Sequence, residues 1–165
     1  YFLNLMVEIN KIITIKLILI ISVVALASAF FIEYVLGHKP CNLCILERIP
    51  YLLAIIIIVL NYKFVHLEKH FILILILIFL AATILSLYHL GIEQGFIEES
   101  FVCNLKNVSN LLSKEDILKQ LQQKNVSCKD VTFKIFGLSL TSYNIIISLL
   151  ITYITAKTYL SYDKN

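Results

Sequence analysis

The sequence has 165 residues, of which 59% are hydrophobic and only 15% charged, with a formal net charge of +3. That balance is too apolar for an ordinary soluble domain of this length. There is no internal repeat, low-complexity tract, glycine loop of the kind that cradles phosphate, or nucleic-acid signature, so nucleic acid is not expected as a partner.

The lipid bilayer is the expected solvent. Four apolar segments, at about 12–36, 45–62, 71–92 and 135–156, each come near the ~20 residues that a hydrocarbon core needs. The expected fold is an all-α membrane protein, a four-transmembrane-helix bundle forming a single domain over residues 1–165. Its first connection is short (37–44) and its third is long (93–134).

In the first segment, Lys11, Lys16, an apolar run and Ala27-Ser28-Ala29 together resemble a cleavable signal peptide. The run continues past those small residues to Leu36, which suits an uncleaved span better. Small residues there also let helices approach closely. Lys16 and Glu33 lie near the helix ends, where side chains reach the interface. The sequence opens on Tyr1 rather than methionine, and nothing functional is assigned to that end.

The first connection ends in Pro40-Cys41-Asn42-Leu43-Cys44, with Pro40 turning the chain sharply at the membrane surface. The C-x-x-C spacing puts two sulfurs within bonding reach when a helix starts near the second cysteine. Arg48 follows Cys44 by one helical turn and so shares its helix face. A thiolate at Cys44 would feel the positive helix end and a permanent cation, a combination that favours it. Glu47 opposes this if it faces the same site.

The second connection, near Lys63 to His70, is short and polar, as a tight helix-helix link requires. The third carries six lysines and six acidic residues and should be solvated. Within it, Ser113-Lys114-Glu115-Asp116 reads as a helix start, and Ile117, Leu118 and Leu121 give that helix an apolar stripe suited to the membrane surface. A docking surface for a partner is the alternative reading of that stripe.

Cys103 and Cys128 form the second pair. A lone pair in an exported loop is usually a stabilising disulfide. Here a redox-type pair lies on the same side of a small membrane protein, and adjacent dithiol/disulfide couples can exchange. A four-cysteine zinc site is the chemical alternative, although structural zinc sites more often use two closely spaced pairs, and no metal is expected.

The bare lysine and arginine count runs slightly against placing both termini in the cytoplasm. A loop as long as the third translocates largely regardless of its charge. The cysteines decide more firmly, because cytoplasmic termini put all four on the side where disulfides persist.

Cys41-x-x-Cys44-x-x-Glu47-Arg48-x-Pro50-Tyr51 resembles the start of the second helix in the disulfide bond formation protein B (DsbB) family, where the position of Glu47 is often Gln. Tyr88-His89-x-Gly91-x-Glu93 followed by Cys103 resembles the end of the third helix and the loop after it. Cys128, then Phe136-Gly137-Leu138-Ser139 and Tyr143-Asn144, resembles the entry to the fourth, where the family often has Trp in place of Tyr143. These blocks run in the family's order along nearly the whole chain.

The resemblance implies a multi-pass protein of the bacterial inner membrane with both cysteine loops in the periplasm. It also implies a dithiol:quinone oxidoreductase that reoxidises a DsbA-like periplasmic thioredoxin-fold protein. By the same resemblance, Cys103 would form the mixed disulfide with that partner. Cys128 would relay by pairing with Cys41, freeing Cys44 as a thiolate against ubiquinone or menaquinone. Arg48 would stabilise the thiolate and the charge developing on the quinone, with His89 close to the quinone head group and Glu93 one turn beyond.

Read without the resemblance, Arg48 is an arginine at a helix end that snorkels, and His89 is an interfacial histidine. Glu33, His38, His66 and His70 read as interfacial or solvated, and Tyr51 and Tyr88 read equally as aromatic-belt residues and as site residues. Given the DsbA-like partner that the resemblance implies, energetics favour a quinone as the acceptor. A strongly oxidising thiol partner near about −120 mV lies above a glutathione-like pool at about −220 mV, so reoxidation by that pool is uphill by more than ~4 kcal/mol. Two other classes fit four spans: a scaffold braced by structural disulfides, like tetraspanins or claudins, and a quinone enzyme of the vitamin K epoxide reductase kind. The second places its redox C-x-x-C late in the bundle, whereas here the motif opens the second span.

Overall fold

The structure, a computed structural model, describes residues 2–98, 103, 127–129 and 134–163. Helix α1 runs over Phe2–Tyr34. It closes at Gly37, whose φ of 73° is the left-handed conformation that ends helices. There the amides of Leu36 and His38 reach back to the carbonyls of Phe31 and Ile32 at 3.2 Å each.

The second span is built in two parts, α2 at Asn42–Leu46 and α3 at Ile49–Lys63. Pro50 causes the break: lacking an amide hydrogen, it cannot complete the ladder, and it sits in the first turn of α3, where none is needed. A 3₁₀ turn, Val65–Leu67, leads into α4 at Glu68–Glu93.

After Cys128 a small antiparallel ribbon pairs β1 (Lys134–Ile135) with β2 (Leu138–Ser139), and α5 follows at Leu140–Asp163. The ribbon corrects one boundary: the fourth span was expected from residue 135, and the helix begins at Leu140. Phe136 and Gly137 both have positive φ, 49° and 83°, the combination that a two-residue hairpin turn demands and a helix forbids. The other spans shift by a few residues, and α2 begins before Cys44 rather than after it. The amphipathic helix expected from Ser113 lies outside the described residues.

Four helical segments are long and apolar enough to cross a membrane, Lys11–Tyr34, Asn42–Lys63, Glu68–Glu93 and Leu140–Ser161. They pack as a ring in chain order: α1 against α3, α3 against α4, α4 most extensively against α5, and α5 back against α1. One buried apolar cluster joins Ile15 and Ile18 of α1, Tyr51, Ala54 and Ile58 of α3, Leu75, Phe79 and Ala82 of α4, and Ile151 of α5.

Large apolar residues such as Ile20, Val24, Leu77, Ile84 and Leu150 point outward. Buried Ser22, Thr83, Ser86, Ser148 and Thr155 face the interior. Lipid solvates the first set as well as a protein core would, and the buried small and hydroxyl side chains add contacts between helices to those of the apolar cluster. The chain is thus an all-α, multi-pass membrane protein.

Candidate functional site

The site forms where α1 and α4 end and α3 and α5 begin. Cys41 follows Pro40 in an extended conformation, φ −72° and ψ 170°, and caps α2. The Cys41 sulfur accepts the backbone N–H of Cys44 at 3.1 Å. The spacing folds the pair onto itself, with Cys41 and Cys44 joined in a disulfide whose Cα atoms are 5.1 Å apart. Cys103 and Cys128 form a second disulfide, Cα to Cα 6.0 Å.

Both disulfides belong to one packed cluster. Cys41, Leu43, Ile92 and Cys128 are buried together, with Cys44, Tyr88 and Cys103 against them. Asn42 ties the two loops further by donating from Nδ2 to the Cys103 carbonyl at 3.2 Å. Cys128 is 2% exposed and Cys41 5%, whereas Cys44 is only half-buried.

His89 of α4 stands behind Cys41, with Nε2 3.5 Å from the sulfur. Its Nδ1 lies 2.8 Å from Glu47 Oε1 and 3.2 Å from Thr141 Oγ1. Thr141 donates its hydroxyl hydrogen to Glu93 Oε1 at 2.6 Å. Glu93 Oε2 is buried with no hydrogen-bond partner among the described residues. The donor atoms of Cys41, Cys44 and His89 lie within 4.8 Å of one another, and with the sulfurs oxidised this group is a disulfide facing an imidazole.

The polar chain continues inward. Asn144 donates from Nδ2 to Glu47 Oε2 at 3.1 Å and to Ser86 Oγ at 2.8 Å, and its Oδ1 accepts the Tyr51 hydroxyl. Ser148 donates to the Asn144 carbonyl at 2.7 Å and accepts from Thr83 at 3.1 Å. Tyr51, Ser86, Asn144, Thr83 and Ser148 thus satisfy one another across α3, α4 and α5.

Arg48 takes another direction. Its Nη1 donates to Glu33 Oε2 of α1 at 2.5 Å, and its guanidinium lies over the Phe30 ring, 5.2 Å from the centroid. Of the residues expected at the site, the structure gathers Cys41, Cys44, Cys103, Cys128, His89 and Glu93, while Arg48 is held at the edge by α1.

Glu33, expected to be interfacial or solvated, is the ion-pair partner of Arg48. Thr141, Ser86 and Asn144 had no site role in the sequence reading, and Tyr51 was weighed equally as a belt residue and as a site residue. A signal for Thr141 and Asn144 exists, because Thr141, Asn144, Ser148, Thr152 and Thr155 recur every three to four residues, a polar stripe along α5.

The family model for disulfide bond formation protein DsbB matches residues 12–158. The chain is also 32% identical over 131 residues to an uncharacterized protein of Rickettsia prowazekii (strain Madrid E), designated RP370, covering 78% of this chain and 76% of that protein. No solved structure matches it. A family match over that span, on a bundle that packs two cysteine pairs together at one end, means that the chain belongs to the DsbB family of disulfide bond formation proteins.

Proposed function

We propose that the protein is a quinone-dependent thiol oxidoreductase of the bacterial inner membrane, which reoxidises a DsbA-like dithiol protein in the periplasm and so sustains disulfide formation. Family membership supports the coarser part, a disulfide-forming membrane oxidoreductase. The observation that carries the finer part is the shared packing of the two disulfides, since neighbouring couples of this kind can exchange. In this reading the termini are cytoplasmic and both cysteine loops periplasmic, where disulfides persist.

The reduced partner's cysteine thiolate attacks Cys103, the Cys103–Cys128 bond breaks, and Cys128 leaves as a thiolate that passes the electron pair on by attacking Cys41. The Cys41–Cys44 bond breaks in that exchange, and Cys44 leaves with the electron pair as a thiolate. A bound ubiquinone or menaquinone supplies the two-electron acceptor. Arg48 fits such a ring: a half-buried guanidinium lies one turn from Cys44, with Phe30, Ile45 and Ile49 exposed around it as an apolar surface. A cation beside Cys44 stabilises the thiolate and any charge developing opposite it. His89 and Glu93 complete the site from the interior side of the disulfide.

The test is a turnover assay. Detergent-purified protein is mixed with a short-chain quinone and a reduced DsbA-like partner, and quinone absorbance is followed. Turnover that Cys44→Ser abolishes supports the reading. Absence of turnover with every quinone tried, despite oxidised cysteines, would leave a non-catalytic four-span scaffold as the better account.

A further inference from the structure

We propose that Glu47 is a positioning residue: it holds His89 with Nε2 aimed at Cys41, so that His89 takes the proton of Cys41 whenever that residue is a free thiol and keeps its sulfur a thiolate. This inference rests on the reading of Cys41–Cys44 as a redox pair. It gives His89 a task at Cys41 rather than at the quinone.

The geometry fixes the tautomer. An ionised carboxylate can only accept, so the proton on the Nδ1 side belongs to the ring and is donated to Glu47 Oε1 at 2.8 Å. Thr141, the other group near Nδ1, has already given its hydrogen to Glu93. The neutral ring therefore presents a bare Nε2, and that nitrogen lies 3.5 Å from the Cys41 sulfur.

Glu47 is itself pinned, because its second oxygen accepts from Asn144, which Ser86 and Tyr51 hold in turn. With His89 1% exposed, Cys41 5% and Glu47 9%, water does not compete for these bonds. The arrangement has the logic of a nucleophile, a base and a group that orients the base.

The proton step balances within the protein. The Cys41 S–H bond breaks, an N–H bond forms at Nε2, and no electrons change hands. The imidazolium so formed is compensated by the Glu47 carboxylate, and the thiolate keeps the Cys44 backbone N–H as a donor. The other titratable groups facing this point are Glu93, whose Oε1 is 3.8 Å from Nε2, and Cys44 and Tyr88, which pack against the same cluster beside the Cys103–Cys128 disulfide. Arg48 is paired with Glu33.

The experiment uses the full chain with Cys44, Cys103 and Cys128 changed to Ser, leaving Cys41 alone, and measures its alkylation by iodoacetamide against pH in detergent. With Glu47 and His89 intact, the rate should reach half its maximum below the ordinary free-thiol value of about 8.5. Glu47→Gln should lower the rate at pH 7 about tenfold and carry the whole profile to higher pH, and His89→Asn should do the same. A profile at or above the free-thiol value in the protein with both residues intact overturns the proposal, whether or not the variants fold. So does a Glu47→Gln profile that superimposes on it. The assay contains neither quinone nor partner, so it can succeed where the turnover assay fails, and the reverse.

Discussion

Arg48 at the start of α3 and Glu33 in the last turn of α1 form an ion pair that fastens the second span to the first beside the C-x-x-C motif. Both side chains are only partly exposed, 18% and 24%, so neither carries its charge cheaply without the other. Glu33 thus sets where the guanidinium stands, and Arg48 in turn is the proposed cation for Cys44.

The pair allows stability and chemistry to be separated. Arg48→Met should lower quinone turnover on the order of 100-fold, as loss of a charge-stabilising donor does. It should also destabilise the fold by about 1–3 kcal/mol, because Glu33 loses its partner. The double variant Arg48→Met/Glu33→Gln should recover much of the thermal stability in detergent and none of the turnover. Recovery of both would remove Arg48 from the proposed chemistry.

Asn144 is the junction of the interior network. Asn144→Ala removes the donor to Glu47 and Ser86 and the acceptor for Tyr51 together, so a loss of about 1–3 kcal/mol is expected. Asn144→Asp should be worse, since it sets a second carboxylate against Glu47 in a buried site. Thermal unfolding of the purified protein gives the ranking directly, and equal melting temperatures for wild type and Asn144→Asp would contradict the network.

At the other end of the bundle, Lys11 of α1 and Glu68 of α4 meet at 2.8 Å and both are buried. Changing Lys11 alone to Met should cost about 3–5 kcal/mol, because it strands the Glu68 charge. Changing both to Met should be far milder. If Lys11→Met alone melts with the wild type, the pair is not a clamp between those helices.

The architecture was largely legible in the sequence. Span number and approximate position follow from apolar length alone, and the C-x-x-C spacing already implied a pair folded over a helix start. The start of the fourth helix was not legible, since the apolar run through Ile135 and Phe136 hides a turn that only the positive φ of Phe136 and Gly137 reveals. Nor was the partner of Arg48: spacing put it on the face of Cys44, and nothing local says that Glu33, fifteen residues earlier, comes within reach once α1 and α3 pack.

His89 and Glu47 illustrate the same limit. Each was visible as a polar residue in an apolar stretch, yet their contact spans 42 positions and depends on how the end of α2 is set against α4. Intramembrane polar residues invite a functional reading by default, and the choice of partner is a property of the packed bundle.

The central claim is that the two cysteine couples exchange through Cys128 and Cys41. The most direct measurement is mass spectrometry of the Cys44→Ser/Cys103→Ser protein, isolated from cells under acid quench so that no thiol reacts afterwards. The account predicts a disulfide between Cys41 and Cys128. Free thiols at both positions, alkylated separately by reagents confined to opposite faces of the membrane, would contradict it.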